Sequence, residues 1–85
     1  MTIEQIEKFI EFGAGNIKEP ANIYFKTRGT VEGVFIKTND YPELKKKNFW
    51  RIVSSKNLIE FRKSNDLNLS RIFNGAEFTQ LSQKS

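Results

Sequence analysis

At 85 residues the chain has room for one domain with one core, and such a chain buries only about 60% of the surface its unfolded form exposes. It contains no cysteine and no histidine, which excludes disulfides, thiolate or imidazole metal sites, Cys and His nucleophiles, and the commonest general base near neutral pH. The net charge of +4 is unevenly spread: residues 1–19 set Glu4, Glu7, Glu11 and Glu19 against Lys8 and Lys18, whereas 45–73 set eight cations against Glu60 and Asp66.

The aromatic share, 13% with eight Phe, offsets the small size, because each buried ring removes about 150–250 Å² from water. No run approaches the roughly 18–20 apolar residues of a membrane span. Met1-Thr2-Ile3-Glu4 lacks the basic flank and apolar core of a signal peptide. A soluble cytoplasmic protein without a membrane partner is the expectation.

Thr2 and Gln5 have the spacing of a capping box, and Ile3, Ile6, Phe9 and Ile10 recur at helical period. A helix over 3–12 follows, with Gly13 placed to stop it. Ala14-Gly15-Asn16 continues the break and Pro20 prevents a clean resumption. From Ile23 the chain alternates: Ile23 and Phe25 share one face, Tyr24 and Lys26 the other. Thr27-Arg28-Gly29-Thr30 reads as a tight turn, with Gly29 supplying positive φ. A second strand over 31–38 contains Gly33, which predicts a bulge or sharp bend.

Residues 39–48 read as a loop turning at Asp40-Tyr41-Pro42. A third strand over 49–54 is expected to pair with a fourth over 58–63, across a turn near Ser55-Lys56-Asn57. Ser64-Asn65-Asp66 is a further loop. Ser70 then precedes Arg71-Ile72-Phe73-Asn74, read as one helical turn closed by Gly75. A short fifth strand over 76–81 would bury Phe78, and Gln83-Lys84-Ser85 should fray. There is no internal repeat. The expected fold is mainly β with an N-terminal α-helix: one domain over 1–85, whose residues 21–81 form a five-stranded, strongly bent antiparallel small barrel.

The run Asn22-Ile23-Tyr24-Phe25-Lys26-Thr27-Arg28-Gly29-Thr30-Val31-Glu32-Gly33-Val34-Phe35-Ile36 resembles the first motif of the Sm-like family, including its Hfq-like members: an alternating strand, a Gly turn, then a Val-Glu-Gly bend. Asn39-Asp40 falls where that family often places an acidic or amide residue. The resemblance implies an Sm-like or SH3-like barrel and, as in the family's rings, binding of single-stranded, often uridine-rich RNA. The second motif is not matched: residues 70–78 carry neither an Arg-Gly nor a Lys-His element. The family's RNA pocket therefore does not transfer residue by residue.

Lys45-Lys46-Lys47 beside Phe49 and Trp50, with Arg62 and Lys63 further on, supplies cations for phosphates and rings for stacking. Three loop lysines also serve as a solubilising cap that guards an edge strand. Trp50 is preferred as core, since a small domain needs its largest side chain inside. Tyr24 and Tyr41 are further stacking candidates, with loop packing or ordinary exposure as the plainer account. The scattered carboxylates Glu32, Asp40, Glu60 and Glu77 form no catalytic or metal-binding constellation, and no cofactor is implied. Two functions remain in view. One is a non-enzymatic binder of single-stranded nucleic acid through a basic patch at 45–63. The other is a protein-interaction or homo-oligomerisation module that uses an exposed barrel edge.

Overall fold

A computed structural model describes residues 1–13 and 20–83. The expected break at Ala14-Gly15-Asn16 and the fraying of Lys84 and Ser85 lie outside the described residues. Five strands form one antiparallel sheet: β1 (Ala21–Phe25), β2 (Val31–Phe35), β3 (Phe49–Ser54), β4 (Ser70–Asn74) and β5 (Phe78–Gln83), in the order β4-β3-β2-β1-β5. Helix α1 (Ile3–Lys8) continues into a π-helical turn (Phe9–Gly13), so the first helix reaches its expected length with a wider last turn. The capping box closes from both sides. Thr2 Oγ1 accepts the Gln5 N–H at 3.2 Å and Gln5 Oε1 accepts the Thr2 N–H at 2.9 Å.

Strand alternation divides the apolar residues between the two faces of the sheet. The inner face gathers Ile23, Phe35, Trp50, Ile52 and Phe78 around Ile6 and Ile10 from the first helix. On the outer face Val34 and Val53 meet Leu58, with Ile36 and Phe61 beside them. The sheet is strongly curled. β1 and β4 lie three strand positions apart, which on a flat sheet means about 14 Å, yet the Phe25 and Phe73 rings are 5.5 Å apart. The two edges also converge where the single 3₁₀ turn Gly75–Glu77 joins β4 to β5. Among the described residues no ladder links β4 to β5, so the sheet is curled but open rather than a closed barrel.

Three segments depart from the sequence expectation. Residues 58–63 are not a strand but lie in helix α3 (Ser55–Ser64). Leu58 and Phe61, three apart, face the sheet, while Ile59 is 71% exposed. The helix ends at Asn65, whose φ of 55° is the left-handed stop that Asn tolerates. Within the expected loop, Tyr41–Lys46 form helix α2, with Pro42 in its first turn, where proline's missing N–H costs nothing. Ser70–Asn74 are strand β4 rather than a helical turn, and the 3₁₀ turn falls one step later at Gly75–Glu77. β2 ends at Phe35, three residues early, and β5 is shifted to Phe78–Gln83. Gly29 does not use the left-handed φ range open to glycine. No helix among the described residues is long and apolar enough to cross a membrane.

Candidate nucleic-acid interface

The basic run at 45–63 is divided by the fold. Lys45 and Lys46 occupy the last turn of α2 and Lys47 its C-cap, on an element whose Tyr41 ring packs 6.0 Å from Trp50 on the inner side. Arg62 and Lys63 end α3, which covers the outer face. The sheet lies between the two groups.

Much of the lysine charge is also already engaged. Lys45 Nζ donates to Glu7 Oε2 at 2.6 Å, and this bond holds its pKa above the usual lysine range. Lys46 pairs loosely with Glu43 at 3.8 Å, both exposed. Lys47 and Lys63 are exposed and meet no carboxylate among the described residues.

The aromatic candidates separate just as clearly. Trp50 is 1% exposed and its Nε1–H donates to Asn48 Oδ1 at 2.8 Å, so its ring is core and offers no stacking face. Tyr41 is half-buried between Lys37 and Lys45, whose ammonium groups lie 5.3 and 5.8 Å from the ring centre. Its hydroxyl is buried without a partner, and burial pushes its pKa up. Tyr24 stays partly exposed on the face of β1 away from the inner core, opposite Gln80 of β5.

A different constellation emerges at the open end of the inner face. There the β1–β2 turn, β4 and the start of α3 enclose a groove of about 600 Å³. Val31, Ile52 and Phe73 give it an apolar lining, and Arg28, Lys56 and Arg71 supply three cations. Arg71 stands opposite Ile52 in the β3–β4 register, which turns it toward the same face as Phe73. The Arg28 guanidinium lies 5.1 Å from the Phe25 ring centre and 5.4 Å from that of Phe73. Neither Lys56 nor Arg71 meets a carboxylate among the described residues, although Glu32, itself partnered, also borders the groove.

Helix α3 begins directly after β3 at this rim. Ser54 Oγ accepts from Asn57 Nδ2 at 3.4 Å and caps no backbone N–H, so no side-chain cap covers the positive end of the helix dipole. Ser55 Oγ, buried and unpartnered, adds a hydroxyl to the lining.

Comparison with family models, with curated proteins and with solved structures finds no match, and the reading of the groove rests on its geometry. Among the described residues no group of three or more Asp and Glu is gathered to hold a metal ion. Arg28 and Arg71 do not stand out in the sequence, because one reads as part of a tight turn and the other as part of a helical turn. The signal that would have found them is the alternation Arg71-Ile72-Phe73, which puts a cation and a ring on one face of a strand.

Proposed function

We propose that the chain is a non-enzymatic cytoplasmic module that binds single-stranded nucleic acid, RNA foremost, on a curled five-stranded frame of the Sm-like or SH3-like kind. The observation that carries this reading is the groove. Among the described residues Lys56 and Arg71 have no carboxylate to satisfy them, Arg28 leans on two rings, and Val31, Ile52 and Phe73 add apolar and aromatic surface to the lining. Phosphates recruit the cations and release counterions, while unpaired bases seek the apolar and planar surface. The lysines at 45–47, with Arg62 and Lys63, contribute a general positive field around the groove rather than its contacts.

Fluorescence anisotropy of labelled single-stranded RNA and DNA, titrated at low and near-physiological salt, tests the proposal. Binding at micromolar concentration or tighter that survives physiological salt is the expected result, with RNA ahead of DNA. Absence of binding, or binding confined to low salt, overturns it.

A second reading has its own observation. β4 is an edge strand whose Ile72 is 48% exposed, and a partner chain adds to such an edge by main-chain pairing. Protein that purifies free of nucleic acid and self-associates in a manner abolished by Ile72→Lys would favour this reading over the first.

A further inference from the structure

We infer that Arg28 is a stacking platform in the groove, a planar surface on which one unpaired base rests, with purines held more tightly than pyrimidines. This rests on the nucleic-acid reading of the groove and assigns it a ligand class: single strands presenting a free purine.

The placement of the guanidinium carries the argument. Phe25 at the end of β1 and Phe73 on β4 come together only because the sheet curls, their ring planes inclined at 54°. Arg28 follows Phe25 by three residues, and its side chain folds back so that its guanidinium lies within 5.4 Å of both ring centres. Two cation–π contacts on one exposed side chain restrict its rotamers before any ligand arrives. Arg28 has no carboxylate partner among the described residues, so its orientation is set by the rings. It nevertheless remains exposed and borders the groove.

A guanidinium held in this way works as a flat surface more than as a point charge. Bases in single-stranded RNA stack on arginine planes as they do on aromatic rings. Arg71, two residues before Phe73 on the same face, stands about 7 Å along the strand, where it can reach the phosphate of the stacked nucleotide. Lys56 on the α3 rim takes a neighbouring phosphate. The volume, about 600 Å³, lies within the roughly 300–1,000 Å³ typical of small-ligand sites. Stacking strength grows with the π-surface, which favours adenine and guanine. A duplex has no free base face to offer.

The test compares oligo-A, oligo-U and a fully abasic oligonucleotide of equal length and phosphate count, binding to the wild-type protein and to Arg28→Lys. Wild type is expected to bind oligo-A at least fivefold tighter than oligo-U, and the abasic strand most weakly. Arg28→Lys keeps the charge and loses the plane. It should weaken oligo-A about tenfold, level the purine preference, and leave the dependence of affinity on salt unchanged.

Wild-type protein that binds the abasic strand as tightly as oligo-A overturns the platform with no variant needed. Arg28→Lys that retains full oligo-A affinity overturns it as well, while leaving the general nucleic-acid reading intact. Wild type that binds none of the three strands overturns both.

Discussion

Asn48 shows how much one residue can hold in a domain this small. Its φ of 63° turns the chain out of α2 and into β3, a conformation that costs most residues about 1–2 kcal/mol and Asn less. Its side chain accepts the Trp50 Nε1–H at 2.8 Å and donates to the Met1 carbonyl at 3.1 Å, and its own carbonyl accepts the Gly75 N–H at 2.7 Å. Gly75 is fixed by the same cluster, since an added Cβ would stand 2.6 Å from Trp50 Nε1 and 2.5 Å from Ile6 Cδ1. Asn48→Ala should therefore cost about 2–4 kcal/mol, strain and an orphaned indole N–H together. Asn48→Gly, which loses the same side-chain hydrogen bonds but tolerates the positive φ, should recover part of that loss in urea titrations followed by Trp50 fluorescence.

Asp40 gives a second residue-scale prediction, this time in pH. Its carboxylate accepts from the Thr38 hydroxyl and from Arg51 Nη2, the latter at 2.6 Å, and these bonds hold its pKa below the usual aspartate range. A folded-state pKa below the unfolded one contributes stability that is present above the ordinary value near 4 and is lost as pH falls through the lowered one. The gap between urea midpoints at pH 7 and pH 3 should narrow in Asp40→Asn. An unchanged gap would show that the pairing adds nothing.

At the scale of elements, what could be read from the sequence depended on whether a segment carried one period or two. β3 was legible to the residue, and so was the capped start of α1, because Phe49–Ser54 is a short aromatic and β-branched run with Trp50 and Ile52 on one face, and Thr2 with Gln5 has a single structural use. Residues 55–64 are ambiguous: Ile59 and Phe61 fit a strand, Leu58 and Phe61 fit a helical face, and ten residues provide too few repeats to choose. Packing decides, since Leu58 fills the space over Val34 and Val53. Leu58→Ala should accordingly cost about 2–4 kcal/mol. Ile59→Glu should change stability by less than about 0.5 kcal/mol, because the side chain is 71% exposed. The opposite ranking in thermal melts would mean that the segment is a strand after all.

The N-terminal helical segment is tied by ion pairs, which no local pattern announces, to α2 and to the stretch just before it. Glu7 meets Lys45 and Glu11 meets Lys37, and both lysines flank the Tyr41 ring. Residues 38 positions apart in sequence become neighbours only once the sheet has formed.

For the whole molecule, these pairings rearrange the charge. The acidic N-terminal segment and the lysine run, opposed in sequence, partly neutralise one another through Glu7 and Lys45. Among the described residues the positive charge left without carboxylate partners includes Lys56 and Arg71, which come from separate segments and meet because β4 pairs with β3 beside the start of α3. A segment-by-segment charge count points to 45–73, and the lysine run within it suggests a patch at 45–63. The curled sheet instead brings Lys56 and Arg71 from that stretch together with Arg28 from the β1–β2 turn around a groove with an apolar lining. The composition thus made the basic character legible, while its location depended on long-range strand register.

The central claim is that this groove, rather than the 45–47 lysines, takes the phosphates. The measurement that tests it most directly is the slope of log affinity against log salt for one single-stranded RNA, compared across wild type, Lys56→Ala/Arg71→Ala and Lys45→Ala/Lys46→Ala/Lys47→Ala. The groove variant should weaken binding and flatten the slope by about 1.4, roughly 0.7 for each phosphate contact removed from a single strand, with the triple variant closer to wild type. A slope that flattens in the lysine triple and stays unchanged in the groove variant would contradict the account.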